Sequence, residues 1–327
     1  MTSVDDRVQH ELWRGYIPVE IHLARDEVAS VTSPAPFFGL VPRGAYLPSW
    51  CDAMAGGKNK CDPHSHFSES IANLPIEQLD TNDSSSSKVT PQPWFDFEGM
   101  PLRWQLPVGV LFDVLSKKSN ELPFKVTVHY SGGIASDAEN TCDDTFSDDG
   151  LYVSPDTSTV RGYFFNTLKE ACYIRTGSAS SVMSMTRQAQ EDLWRSVSTG
   201  DRSLADKAYE QLGRGEGPEE DTDTIRYPVR VYVRMCSSNL DVTSWRDIHW
   251  TSAPIEARVV DETNNEKVSR QSTVRDALRM VVGDIERRKW QCTVQGIELD
   301  MDTPLVEIHG KLRSADRFMH ISFAWIE

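Results

Sequence analysis

No stretch of the chain approaches the roughly 20 consecutive apolar residues that cross a bilayer, and the polar amino terminus lacks the pattern of a secretory signal. Basic residues are scarce beside acidic ones, 34 lysines and arginines against 49 aspartates and glutamates, for a formal charge of −15. That imbalance argues against general nucleic-acid binding and against broad docking on anionic lipid, both of which need basic surface. Paired cysteine spacing is missing as well. Cys51, Cys61, Cys142, Cys172, Cys236 and Cys292 are scattered, which suits a reduced cytosolic protein. Asn82-Asp83-Ser84 is then a chance sequon. There is no P-loop, dinucleotide fingerprint or serine elbow. Gly213, Gly215 and Gly217 alternate, but acids follow them, the wrong sign for cradling phosphate.

What is present is folded sequence, 39% apolar and 25% charged, in a chain of 327 residues with room for two or three domains. Trp94, Phe95 and Phe97 alternate with acids and end at Gly99; Pro101-Leu102-Arg103-Trp104 starts a second extended run. Pro107 and Gly109 introduce a short apolar helix through Leu115, and Pro123 launches a strand with Val126 and Val128 on one face. Strand, turn, helix and strand in that order suit half of a β-grasp fold. Upstream, Trp13-Arg14-Gly15-Tyr16-Ile17-Pro18 leads into a half-buried strand marked by Val19, Ile21 and Leu23. A second strand runs Phe37–Val41 into Pro42-Arg43-Gly44-Ala45-Tyr46-Leu47. The segment 48–93, with Gly56-Gly57, Pro63 and the serine run 84–87, is expected to be an insertion with a mobile tip. Residues 136–150 hold six acids and no basic residue, a solvated loop or an acidic contact for a basic partner.

The middle of the chain is helical. Val160, Phe164, Thr167, Leu168 and Ala171 recur at helical spacing. Thr186 opens a second helix through Trp194 and Val197, closed by Gly200, and Ser203 with Asp206 has the form of a capping box for Leu204–Leu212. After a linker at 214–224, Val229, Val231 and Val233 alternate on a strand. A further strand is expected within Ile255–Val260 and an amphipathic helix over Thr273–Ile285, capped by Ser272 or Thr273. Cys292–Leu299 is a strand with a bulge or turn at Gly296. Thr303-Pro304-Leu305 then opens a short helix, and Phe318–Ile326 closes as a strand. The expected division is an amino-terminal helix at 1–12, a first β-grasp domain at 13–135, an acidic loop at 136–154, a helical domain at 155–213 and a second β-grasp domain at 225–327. The fold class is α+β, two ubiquitin-like domains flanking a small helical bundle.

Several of these segments, in this order, resemble the autophagy-related protein 5 family. The family shows W-x-G-x-I-P, then P-R-x-x-Y-L, then W-F-x-(Y/F)-x-G-x-P-L-(K/R)-W with P-x-G-(V/L)-L-F-D, matched here at Trp13–Pro18, Pro42–Leu47 and Trp94–Asp113. Later motifs fall at Pro228–Tyr232, Gly296–Glu298, Thr303–Leu305 and Phe318–Ile321, with Met319 where the family has leucine. The likeness fails between Pro48 and Pro93, where family members have a shorter, more helical apolar segment. The Gln190–Trp194 run is similar to plant-type members.

Asn166-Thr167-Leu168-Lys169-Glu170-Ala171 carries the chemistry that the resemblance implies. At about 100° per residue, Lys169 projects away from the apolar stripe, beside Asn166 and Tyr173. On periodicity alone it is a solvent-facing lysine. In the family, the lysine of L-K-E-A accepts the carboxyl-terminal glycine of the ubiquitin-like autophagy-related protein 12. A free amine near a pKa of about 10.4 is rarely deprotonated, so the conjugating enzyme supplies the activation. The sequence ends without a diglycine, which fits an acceptor and not a modifier.

The resemblance further implies a scaffold without catalytic residues, cofactor or metal of its own. The groove between the ubiquitin-like domains and the amino-terminal helix would take a helix of autophagy-related protein 16, with Trp13, Ile17 and Arg43 as candidate contacts. Capping a strand turn is an equal reading of Arg43. The conjugate would act as an E3-like complex, promoting transfer of autophagy-related protein 8 from its E2 enzyme to phosphatidylethanolamine. A cytoplasmic protein recruited peripherally to the phagophore membrane is therefore expected. Two rival readings stay open: a β-grasp adaptor that binds a peptide helix without being conjugated, and a cysteine hydrolase. Cys51, Cys61, His64 and His66 have metal-ligand types at irregular spacing, which is expected to hold no structural metal. His129 and His320 lie on strands, where packing is the default, as it is for most tryptophans.

Overall fold

The computed structural model describes residues 4–29, 32–55, 62–71, 93–116, 122–130, 156–213, 225–237, 242–263, 266–283, 285 and 288–326. The acidic loop at 136–154 and the linker at 214–224 lie outside them.

Helix α1 (Val4–Trp13) leads into β1 (Tyr16–Leu23), which pairs antiparallel with β2 (Phe37–Pro42). Helices α2 (Leu47–Ala55) and α3 (Pro63–Ile71) follow, then the hairpin β3 (Trp94–Phe97) and β4 (Met100–Pro101), helix α4 (Val108–Leu115) and β5 (Phe124–His129). The sheet order is β2-β1-β5-β3-β4, with β1 and β5 parallel. The hairpin turn needs positive φ, which Gly99 supplies at 84°, while Asp96 accepts its N–H at 2.7 Å. Of the extended run expected at Pro101–Trp104, only Pro101 lies on the paired strand β4. Leu102 N–H returns to Phe95 O, and the chain turns towards α4.

The expected insertion at 48–93 is corrected in part: its described residues are mostly helix. Trp50 and Phe67 reach the first domain's core, Trp50 edge-on to Phe37. Proline misled the reading. Pro48 and Pro63 sit in the first turns of α2 and α3, where a missing N–H costs nothing. Residues 56–61 and 72–92, including the serine run, are outside the described residues.

Four helices form the middle: α5 (Thr157–Thr176), α6 (Ser180–Met183), α7 (Arg187–Thr199) and α8 (Asp206–Gly213). Thr186 accepts from Ala189 N–H at 3.1 Å and Gly200 ends α7 in the left-handed region. The Ser203–Asp206 box does not form. Asp201 accepts from Ser203 N–H at 3.0 Å instead, capping a 3₁₀ turn at Arg202–Leu204 before α8.

The second domain comprises β6 (Arg226–Ser237), β7 (Ile248–Glu256), the hairpin β8 (Arg258–Thr263) and β9 (Glu266–Gln271), helix α9 (Val274–Arg279), β10 (Lys289–Val294), β11 (Ile297–Leu299), helix α10 (Leu305–Lys311) and β12 (Met319–Ile326). Its order, β11-β10-β12-β6-β7 with β6 parallel to β12, repeats that of the first sheet. The strand expected within Ile255–Val260 begins earlier, at Ile248. His249 to Ser252 carry little apolar alternation, yet all pair with β6. Helix α9 stops at Arg279 rather than Ile285: the N–H groups of Val281 and Val282 both fall on Leu278 O, and the ladder goes no further. Thr273 and Asp276 form its capping box.

The molecule is thus α+β, two β-grasp domains flanking a helical bundle. Tyr232, Val242, Trp245 and Ile248 of the second domain join the first domain's apolar core. Trp245 Nε1–H donates to Pro101 O at 2.7 Å, and the Arg103 guanidinium lies 4.5 Å from the Trp245 ring centre. A shared core fixes the relative orientation of the two domains.

Candidate functional site

Helix α5 is fastened at both ends. Asp156 accepts from Thr159 N–H at 2.9 Å, and Gly177 closes the helix with φ of 72°. Val160, Phe164 and Leu168 are fully buried on the expected stripe. Thr167 and Ala171, also on that stripe, are buried too, and Phe165 and Cys172 widen it. The buried face is broad because α5 packs on α2 and also on β6 of the second domain.

Lys169 lies at the edge of the remaining face, its stem half-buried, and its Nζ donates to Asn166 Oδ1 at 3.4 Å. Tyr173, one turn on, is 60% exposed. Glu170 points elsewhere: its carboxylate accepts from Arg230 Nη2 of β6 at 3.3 Å. Arg230 also donates to Tyr163 Oη at 3.4 Å and stacks on Phe318 at 4.2 Å. Two separate sequence motifs, Leu168–Ala171 and Pro228–Tyr232, therefore meet at one ion pair. Periodicity places Glu170 on the helix but carries no signal of its partner, 60 residues away.

A second feature is a shallow groove bounded by the end of α1, the turn at Pro42–Gly44, the end of α7 and Arg313–Ala315. Trp13 lines it, edge-on to Tyr209 at 6.0 Å. Arg43 also lines it, but its guanidinium is engaged inside the protein. Nη2 donates to Asp113 Oδ2 at 2.5 Å and to Gly109 O at 3.2 Å, and the same carboxylate oxygen accepts Gly296 N–H at 2.9 Å. Arg43 thus joins the two β-grasp domains beneath the groove. Gly109 has to be glycine here, since a Cβ would sit 2.9 Å from Arg43 O. Ile17 is not at the groove: it is 2% exposed and packs in the first domain's core.

The remaining candidates carry structure. His129 stacks on Trp94 at 3.7 Å and shares a 2.6 Å hydrogen bond with Asp96. His320 bridges Tyr232 Oη and Asp316, each at 3.0 Å, within the interdomain core. Burial pushes the Cys51 and Cys292 thiols well up, which makes them poor nucleophiles. Among the described residues no three His, Cys, Asp or Glu side chains are grouped to hold a metal ion, and Cys61 lies outside those residues. No described helix is long and apolar enough to cross a membrane.

Residues 12–130 match the family model described as autophagy protein ATG5, UblA domain; 157–204 match its alpha-helical bundle region and 226–323 its UblB domain. Autophagy protein 5 of Arabidopsis thaliana is 27% identical over 95% of both chains. That of Oryza sativa subsp. japonica is 24% identical over 95% of this chain and 91% of the rice protein. The Neosartorya fischeri protein is 26% identical but aligns with only 58% of this chain, in keeping with a plant-type resemblance. The crystal structure of Kluyveromyces marxianus Atg5 shares the fold, with a TM-score of 0.63 at 19% identity, covering 97% of this chain and 99% of that one. Three models of one family, matched in order along both β-grasp domains and the bundle between them, show that the chain belongs to the autophagy protein 5 family and has a role in autophagy.

Proposed function

We propose that Lys169 is joined by an isopeptide bond to the carboxyl-terminal glycine of a ubiquitin-like protein, autophagy-related protein 12, and that the conjugate works as a scaffold. The observation that carries this reading is the placement of Lys169. It lies in a Leu-Lys-Glu-Ala motif, on a 20-residue helix capped at both ends and buried over a broad face, with its amine at the border of the open strip. An acceptor amine has to enter a conjugating enzyme's thioester site, and a rigid helix keeps it oriented on the way.

The groove beside Trp13 would seat a helix of the coiled-coil partner, autophagy-related protein 16. The assembly would then promote transfer of autophagy-related protein 8 from its E2 enzyme to phosphatidylethanolamine at the phagophore membrane. The reacting cysteine belongs to that E2, and this chain contributes positioning and peripheral recruitment from the cytoplasm. The working domain limits remain 1–12, 13–135, 155–213 and 225–327.

The test is incubation of the purified chain with the E1-like and E2-like enzymes, ATP and the ubiquitin-like protein, beside Lys169→Arg, read by intact mass. One adduct on the wild type and none on the variant is expected. No adduct on either, with the enzymes shown active, leaves a peptide-binding adaptor that is not conjugated.

A further inference from the structure

The surroundings of Lys169 differ from those of an ordinary helical lysine in the chemistry of its neighbours. The adjacent carboxylate, Glu170, is drawn off by Arg230, which is itself held by Tyr163 and by the face of Phe318. What faces the amine is the neutral carbonyl of Asn166, three residues back on the same exposed strip. Resting on the acceptor role proposed above, we infer that Asn166 is a positioning residue for the reaction: it orients the Lys169 amine through a neutral acceptor, while Arg230 keeps the Glu170 carboxylate away.

Bond formation requires the ammonium to lose one proton. The free amine then attacks the thioester carbonyl of the charged E2; the new C–N bond forms as the C–S bond breaks. The second amine proton leaves with the collapse of the intermediate, and the E2 cysteine departs as thiolate or, with that proton, as thiol. A carboxylate beside the amine would favour the charged ammonium and oppose the first step. An amide carbonyl can direct the nitrogen without adding a negative charge.

The charged and titratable groups around the helix fit this division of work. On α5, Glu170 is paired with Arg230, and Tyr173 stands open one turn on. From β6, Arg230 is already engaged, Arg234 donates to Ser116 O at 2.9 Å, and Tyr227 lies under Arg175 of α5 at 5.7 Å. From α2, Asp52 bonds Thr157 at the far end of α5. From α7, Glu191 pairs with Arg161 at 2.7 Å, and α6 carries no charged residue.

The experiment is single-turnover discharge of the thioester-charged E2-like enzyme onto the full chain, with the chain varied to separate kcat from KM. It runs between about pH 7 and 11, a range that spans the titration of a lysine amine with a pKa of about 10.4. Asn166→Ala is expected to lower kcat roughly tenfold at every pH, with KM unchanged, because only orientation is lost. Asn166→Asp keeps an acceptor oxygen but adds a charge that favours the ammonium, so its whole rate–pH profile should shift to higher pH, while that of Asn166→Ala falls without shifting. Glu170→Gln should leave the pH profile where it is. A purely structural Asn166 would not displace that profile. Wild-type kinetics for Asn166→Ala, or a profile moved by Glu170→Gln and not by Asn166→Asp, overturns the inference. If Lys169→Arg is still modified, or the wild type receives nothing from an E2 that discharges onto hydroxylamine, the acceptor reading itself has failed.

Discussion

Ile17-Pro18-Val19-Glu20-Ile21-His22-Leu23 and Tyr227-Pro228-Val229-Arg230-Val231-Tyr232-Val233 occupy the same place in the two β-grasp sheets. Each is the first strand, and each pairs in parallel with the last, Val19 against Phe124 and Val229 against Met319. Their odd-numbered residues fill the two cores alike. After the proline common to both, Pro18 and Pro228, their even-numbered residues share nothing but position. In the first domain Glu20 meets His22 at 2.9 Å and Lys125 at 3.9 Å on a surface facing water. In the second domain the equivalent residues are buried, Arg230 against Glu170, Tyr232 against His320, and Arg234 on Ser116 O at 2.9 Å. One sheet presents its outer face to solvent, and the other uses that face as the joint of the molecule. An alternating polar and apolar strand is therefore no proof of a solvent-facing side.

The sharpest way to break this comparison is at Asp316, beneath the buried face. Burial opposes ionisation of its carboxyl, but the charge and hydrogen bond of His320, with Arg230 and Phe318 N–H, outweigh it and hold the carboxyl below its ordinary value. Asp316→Ala leaves that cluster unbalanced and should cost about 3–5 kcal/mol, read as a lower urea midpoint at neutral pH. Because the folded value is depressed, the stability it contributes is present above the unfolded carboxyl value of about 3.9. It is lost as pH falls through the lower folded value. A wild-type midpoint in the variant would remove the cluster from the account.

Tyr232→Ala comes next, at about 3–5 kcal/mol, since it opens a cavity in the shared core and strands His320 Nδ1. Its counterpart His22→Ala should stay within about 0.5 kcal/mol. Equal losses at the two positions, measured by chemical denaturation, would mean that the outer faces are not different in kind. Glu170→Gln lies between them. Its side chain is 48% exposed, so solvent screens the bridge to Arg230 and the loss should be below about 1 kcal/mol. The smallest effect is expected at Phe38, 65% exposed on the edge strand β2: Phe38→Ser should shift the midpoint by no more than about 0.5 kcal/mol.

The readable and unreadable parts of this chain separate by the distance over which the information is held. Val160, Phe164 and Leu168 announce α5, Thr186 and Gly200 mark the ends of α7, and the alternating valines of β6 state which side faces the core. These are signals within one or two turns, or one strand. Trp50 and Phe67 carry no such signal, because Pro48 and Pro63 have the look of loop punctuation and only the fold puts them in first helical turns. His249–Ser252 failed as a strand because their pairing is dictated by β6 and not by their own pattern.

Sequence by itself determined the β-grasp periodicity of both domains, the helical middle and the motif that contains Lys169, because each depends on local spacing of apolar side chains and turn residues. Tertiary structure alone decided that Arg43 ties both domains through Asp113 and Gly296, and that Arg230 reaches across to Glu170. Those outcomes turn on which sheet face is covered. Covering follows from how three domains close on one another, and no single segment encodes it.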